Sequence, residues 1–224
     1  MGHLQQLLAC TIITTGRTGS DFLQSLFDSH TQVLTYNGIF TFHRFWASSK
    51  VVNSKNICLS DLLDEFIGHN IEKFKSQYDF TERKDCLGED GDQSLDINIL
   101  QFKTVTRELL ADVKLNSRNF MLSVYGAYSI CLGQDLSKKS VLLHHIHHAE
   151  GLPLYLEDFP DSKIICMTRD PRANFVSGVT HWKKFNKNMD NEEHLYVYIK
   201  RIFIDSYVLK NFQNDYMGLR IEDL

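Results

Sequence analysis

Residues 10–27 read CTIITTGRTGSDFLQSLF, and they predict a strand, a glycine turn and a helix in succession. The run from Cys10 to Thr14 is short and rich in β-branched residues, which is typical of a buried strand. After the turn, apolar residues recur at the spacing of one helix face, at Phe22, Leu23, Leu26 and Phe27. Backbone N–H groups converge on a turn of this kind, so an anion such as phosphate is the expected ligand.

The rest of the chain alternates strand-like and helix-like segments. The strand-like segments are 120–126 (FMLSVYG), 141–145, 163–168 and 216–221 (YMGLRI). The helix-like segments are one capped by Ser60 that runs to Phe74, then 98–114, 150–159 and 191–213, and residues 81–96 read as a surface loop. This alternation predicts one α/β domain, residues 1–224, with a central, mainly parallel sheet and helices on both faces.

Composition restricts the class of partner. The chain has 224 residues and a formal net charge of −4, so no general positive field would recruit nucleic acid or an anionic membrane surface. The N-terminus has the pattern of neither a signal peptide nor a membrane anchor, so we expect no membrane insertion. Five cysteines without a CxxC pair fit a reducing compartment, which predicts a cytoplasmic protein.

The glycine turn differs from the turn of ATP- and GTP-binding proteins. Their motif, GxxxxGK[ST], uses a lysine on the phosphates and a hydroxyl on magnesium, and no such lysine stands here. Arg17 lies inside the turn instead, where a guanidinium can hold phosphate or sulfate oxygens in a bidentate fork. The sequence therefore favours an anion site that needs no metal, and leaves a nucleotide kinase or NTPase as the alternative.

A second strand, turn and helix follows at residues 163–172, KIICMTRDPR, with Ser177 further on. Pro171 suits the first turn of a helix. Arg169 leaves the carboxyl edge of the sheet, where open α/β sheets bind their ligands. An ion pair between Arg169 and Asp170 is the purely structural alternative.

Three stretches of this chain, in order, resemble the superfamily of sulfotransferases that use 3′-phosphoadenosine 5′-phosphosulfate (PAPS). GRTGSDFLQSL (16–26) is similar to the family's 5′-phosphosulfate loop, FPDSKIICMTRDPRANFVS (159–177) to its 3′-phosphate motif, and GLRIEDL (218–224) to the stretch after its long helix. The resemblance implies a P-loop-type three-layer fold and sulfuryl transfer from PAPS to a hydroxyl or amine of a saccharide or other small acceptor. It also implies that further helices usually follow, so we expect this chain to lack the family's C-terminal part.

The resemblance assigns a donor site residue by residue. The residues expected to bind PAPS are Gly16, Arg17, Thr18, Gly19, Ser20, Asp21, Phe22, Arg169 and Ser177. Asp21 departs from the family pattern, which usually has a hydroxyl there. A carboxylate would repel the dianion unless it turns away or pairs with a cation.

The histidines at residues 144–148, HHIHH, supply the expected catalytic groups. In cytosolic sulfotransferases the equivalent strand ends in Lys-Thr-His, which aligns His145 with the lysine and His147 with the general base. His145 would stabilise the leaving phosphate, together with Arg17, only when protonated. His43 is the second choice for the base.

Other interpretations stay open at this stage. The clustered histidines could form a zinc site or serve a structural role. The departures at Asp21 and His145 leave room for a non-catalytic nucleotide-binding relative. The acceptor pocket is expected in the loops 36–60 and 81–96, where the aromatic residues of 36–46 either line that pocket or belong to the core.

Overall fold

The structure is a computed structural model that describes residues 1–14, 16–28, 30–36, 40–76, 88–185 and 192–212. Its strands are β1 (Leu8–Thr14), β2 (Val33–Leu34), β3 (Lys75–Ser76), β4 (Leu95–Asp96), β5 (Val141–Ile146) and β6 (Lys163–Met167). Its α-helices are α1 (Gly2–Gln5), α2 (Ser20–Ser25), α3 (Phe42–Ser48), α4 (Leu59–His69), α5 (Ile99–Leu110), α6 (Ser117–Cys131), α7 (Leu152–Asp158), α8 (Pro171–Phe185) and α9 (Glu192–Phe212). Short 3-10 helices cover Ile71–Lys73, Leu136–Lys138 and Ala149–Gly151.

The central sheet has four strands in the order β2-β5-β1-β6, and every described pairing within it is parallel. In its centre Ile12 of β1 faces His145 of β5 on one side and Ile165 of β6 on the other. Because the strands are parallel, β1, β5 and β6 end at the same edge of the sheet. The predicted mainly parallel α/β fold is confirmed.

Alternate residues of β1 pack on opposite faces of the sheet. Ile13 belongs to the larger hydrophobic cluster, which includes residues of α3 to α7. Ile12 belongs to a smaller cluster on the other face, against which Leu23 and Phe27 of the α2 segment pack. Both residues are 0% exposed, as expected for a central strand covered by helices on both sides.

One strand prediction was wrong: residues 120–126 lie inside α6. The six residues from Phe120 to Tyr125 are each at most 1% exposed, so this helix is buried on all sides and reads as a continuous apolar run. Periodicity alone cannot separate such a helix from a buried strand. A helix-start signal was present, because the side chain of Asn116 accepts a hydrogen bond from the backbone N–H of Asn119.

Smaller differences occur elsewhere. Helix α4 begins at Leu59 after Cys58, so Ser60 lies within the helix instead of capping it. Part of the predicted 81–96 loop is β4, which pairs antiparallel with β3. Residues 81–87 and the segment 216–224, which includes the predicted last strand, lie outside the described residues.

The aromatic residues of the 36–46 segment are mainly core. Tyr36, Phe40, Phe42 and Phe45 are each at most 7% exposed, and they pack with the aromatic residues of α4 and α6. This packing fixes α3 beside the end of β5.

Candidate functional site

The turn after β1 has a strained, compact backbone. Gly16, Arg17 and Gly19 have φ angles of 77°, 50° and 90°, in the left-handed region that favours glycine. The backbone N–H of Gly16 donates to Oγ1 of Thr14 at 3.0 Å, and the hydroxyl groups of Thr14 and Thr18 are hydrogen-bonded to each other. Successive residues in such conformations turn backbone N–H groups toward one concave surface, the geometry that binds anions.

The two segments singled out in the sequence meet at this turn. Nη1 of Arg169 donates to the carbonyl oxygen of Arg17 at 3.2 Å, and Nε of Arg17 lies 3.4 Å from Oγ of Ser177. Asn174, from the same helix as Ser177, donates its side-chain amide to the carbonyl of Gly16 at 2.7 Å. Segments about 150 residues apart in sequence therefore form one continuous surface.

The guanidinium of Arg169 is available to bind an anion at this surface, because the nearby carboxylate of Asp170 pairs with Arg172 instead. Nη2 of Arg172 lies 2.6 Å from Oδ2 of Asp170, and these hydrogen bonds hold the pKa of Asp170 well below its usual range. The side chain of Arg169 is exposed. The ion pair of Asp170 is therefore made with Arg172.

Histidines from the end of β5 lie beside the same turn. His145 is 2% exposed, and its Nδ1 is hydrogen-bonded to Oε1 of Gln24 at 2.7 Å. The same Nδ1 lies 3.9 Å from Oδ1 of Asp21. The rings of His145 and His147 are 5.8 Å apart. Asp21, which departs from the family pattern, thus turns toward the histidines.

Asp21, His145 and His147 also give the zinc interpretation a third donor. One ligand atom from each lies within 4.8 Å of the others. Zinc ligands about 2.1 Å from a tetrahedral ion lie roughly 3.4 Å from one another, so the group would have to contract to hold the ion. The three residues are therefore candidate zinc ligands only if their side chains move closer together.

The positive charge that the predicted role of His145 requires does not develop near neutral pH. Burial, together with the nearby Lys73 ammonium, lowers the pKa of His145 to about 4. The condition attached to its predicted role, protonation, is therefore unmet at pH 7. His145 is a neutral hydrogen-bonding residue under the sheet edge.

Lys73 is a cation of this region that the sequence did not reveal. Burial lowers its pKa to about 8, while Glu72 and Asp21 act in the opposite direction. The ammonium is thus mostly charged at pH 7 and interacts electrostatically with both Asp21 and His145. The hydroxyl of Tyr128 donates to the Lys73 carbonyl at 2.9 Å, which fixes the backbone. No local motif marks this lysine, because tertiary packing alone brings it here.

His147 also lines a cavity of about 390 Å³. Its lining comes from α3 and the two residues before it, from the end of β5 with the two histidines that follow, and from residues in and just before α7. Most of the lining is apolar and includes Phe40, Phe42, Ile146 and Leu154. Phe40 and Phe42 thus belong to both core and cavity.

Two more histidines line this cavity, and both have defined partners. Nε2 of His43 lies 3.0 Å from Oδ2 of Asp158, a carboxylate that also accepts a hydrogen bond from Ser117. Nδ1 of His144 is hydrogen-bonded to the hydroxyl of Tyr125 at 2.7 Å. Burial, with His43 and His145 nearby, holds the pKa of His144 well below its ordinary value. His144 therefore serves as a neutral structural residue.

The predicted site residues are largely brought together. Gly16 to Asp21 form the turn and the start of α2, Arg169 and Ser177 contact it, and His145 and His147 lie beside Asp21. The side chain of Phe22 is 66% exposed, so only its backbone N–H, in the first turn of α2, is at the site.

Sequence reasoning missed Gln24, Lys73, Arg44 and Asn174. Asn174 alone had a signal, since it precedes Ser177 by three residues on one helix face.

Comparison with known proteins identifies the family. A family model described as "Sulfotransferase family" matches residues 10–207, so the chain belongs to the sulfotransferase family. Searches of curated proteins and of solved structures found no match. Within the described residues, no helix has the length and apolar character needed to cross a membrane.

Proposed function

We propose that this sulfotransferase uses PAPS as donor and transfers its sulfuryl group to a hydroxyl, or to an amine, of a small acceptor. The observation that carries the proposal is the contact between the two motifs. Arg17 and Arg169 belong to one surface, as a ligand with phosphate groups at both its 5′ and 3′ positions requires. The proposed donor contacts are the backbone and hydroxyl groups of 16–20 on the 5′-phosphosulfate, and Arg169 with Ser177 on the 3′-phosphate.

His147 is the proposed general base, because it lies between the two regions that must meet. It belongs to the cluster with Asp21 at the turn, and it also lines the cavity where an acceptor would bind. The acceptor oxygen would attack sulfur while His147 takes its proton. The bond between sulfur and the bridging oxygen would break, and its electron pair would leave on the phosphate of adenosine 3′,5′-bisphosphate.

The leaving phosphate needs positive charge, which we assign to Arg17 and Lys73. Positioning and electrostatic stabilisation dominate transfers of this kind. His145 is neutral and is proposed to act by position, holding Gln24 and Asp21 next to the turn. No metal is needed in this scheme, since the chain's own cations meet the negative charge.

His43 is the alternative base, favoured by its hydrogen bond to Asp158. A carboxylate on one imidazole nitrogen fixes the orientation of the ring and leaves the other nitrogen for proton transfer, as in other pairs of this type. The two candidates predict different variants to be inactive. Loss of transfer in His147→Gln, with donor binding kept and His43→Gln active, supports His147; the reverse pattern supports His43.

Calorimetry with adenosine 3′,5′-bisphosphate, 5′-AMP and ATP–magnesium tests the donor. The 3′-phosphate adds charge-assisted hydrogen bonds of about 1.5–3 kcal/mol, so the bisphosphate should bind roughly 10- to 150-fold more tightly than 5′-AMP. Binding should not require magnesium. Equal or tighter binding of ATP–magnesium would favour a kinase or NTPase, and absence of any nucleotide binding by the folded protein would contradict the proposal.

A further inference from the structure

The ionisable side chains that line the cavity beside His147 are all basic. Its ionisable lining residues are Arg44 and the histidines 43, 144, 147 and 148, and no carboxylate is among the described residues that line it. The carboxylate of Asp158, which contacts the lining residue His43, also accepts a hydrogen bond from Ser117 and is thereby engaged. The cavity therefore suits a ligand that brings negative charge.

Arg44 is the group available to meet that charge. It lies on α3, is exposed, and its guanidinium forms no hydrogen bond or ion pair within the described part of the chain. A free guanidinium offers a planar fork that matches a carboxylate or another anion with two oxygens. The rest of α3 fixes its base, because Phe42 and Phe45 are buried on the opposite face.

The remaining walls fit a flat, apolar body. The lining is mostly apolar and includes Phe40, Phe42, Ile146 and Leu154, while its only side-chain hydroxyl groups among the described residues are those of Thr41 and Ser48. Each hydroxyl of a neutral sugar that loses water needs a replacement hydrogen bond, and this wall has few to offer. A volume of about 390 Å³ is at the small end for ligand pockets and suits one or two rings.

We infer that the acceptor is a small hydroxylated compound with a flat, mainly apolar body and an anionic group, its hydroxyl at His147 and its anion at Arg44. Arg44 and His147 both line this one cavity, so a single bound molecule can contact both. In the reaction a bond forms between the acceptor oxygen and sulfur, and the proton passes to His147. The inference rests on the proposed function, and among the saccharide or other small acceptors expected from the sequence it selects a non-saccharide one.

The test compares three acceptors of similar size: 3-(4-hydroxyphenyl)propanoate, its uncharged amide, and methyl glucoside. Transfer of labelled sulfuryl from PAPS should be most efficient for the carboxylate. Arg44→Gln should raise KM for the carboxylate by on the order of tenfold to a hundredfold, and leave the amide unchanged. The control, Arg107→Gln, removes an exposed arginine on α5 that donates to Ser60 and should change neither acceptor.

Two outcomes of the transfer assay overturn the inference. Equal efficiency for carboxylate and amide would do so, and so would a preference for the glucoside. Binding of the carboxylate to nucleotide-free protein, measured by calorimetry, separates this inference from the proposed donor. Binding that Arg44→Gln weakens supports the anionic site even where PAPS fails to bind, and no binding of the carboxylate contradicts it even where PAPS binds.

Discussion

The buried, neutral state of His145 predicts an acid-sensitive protein. The pKa of this imidazole is about 4 in the folded chain, against about 6.5 for an unfolded histidine. Between these values the unfolded state binds the extra proton, so the free energy of unfolding falls as pH falls from 6.5 to 4. At 1.36 kcal/mol per pH unit, the 2.5-unit window corresponds to about 3 kcal/mol, a large part of the stability of a typical domain.

Urea unfolding, followed by circular dichroism at several pH values between 7 and 4, measures this effect. Replacing His145 by Gln removes the titrating group, so the variant should lose about 3 kcal/mol less than the wild type over this range. His144 remains and contributes in the same direction, so the variant's profile keeps some slope. His30→Gln, which removes a histidine at an exposed position, is the control for loss of an imidazole as such. Parallel profiles for wild type and His145→Gln would refute the reasoning.

Two further predictions use neighbouring or matched residues as controls. Lys73→Met should lower the transfer rate at least tenfold, because it removes positive charge at the leaving phosphate. The control, Lys75→Met, removes an exposed lysine paired with Asp96 and should leave the transfer rate near that of the wild type. Tyr36→Phe should raise the free energy of unfolding by about 1 kcal/mol, because its buried hydroxyl has no hydrogen-bond partner in the described structure. Tyr125→Phe, which removes the bond to His144, should lower it by a similar amount.

Each pair has a clear contrary outcome. Equal loss of activity in the two lysine variants would remove Lys73 from the proposed mechanism and point to a general effect on folding. If Tyr36→Phe destabilises the protein as much as Tyr125→Phe does, the hydroxyl of Tyr36 has a hydrogen-bond partner in the folded protein and contributes to stability.

The parts of the fold that sequence predicted well are those with strong local signals. The turn at 16–19 is marked by glycines that adopt positive φ, and β5 and β6 are short apolar runs followed by polar or charged residues. Helix α6 was mistaken for a strand because its burial comes from packing against α5, β2 and α3, which lies beyond the local pattern.

The sequence could predict where in the fold the candidate site lies, but not the protonation states of its side chains. Parallel strands that end together place the residues near Asp21, His145 and Arg169 at one edge, which sequence order can reveal. The protonation state of His145 depends on its burial and on Lys73, from a distant 3-10 helix, and neither is visible locally. The sequence also could not show where the Asp21 carboxylate points. In the structure it lies toward His145 and interacts electrostatically with Lys73, so it meets the requirement that it turn away from the donor or pair with a cation.

The most direct test of the proposed donor site is the affinity for adenosine 3′,5′-bisphosphate in Arg169→Ala and Arg172→Ala. Arg169 contacts the turn through the Arg17 carbonyl, whereas Arg172 is exposed and paired with Asp170. Loss of the proposed charge-assisted contacts should weaken binding by roughly 10- to 150-fold in Arg169→Ala, with little change in Arg172→Ala. Equal affinities in wild type and Arg169→Ala would contradict the assignment of the 3′-phosphate to this site.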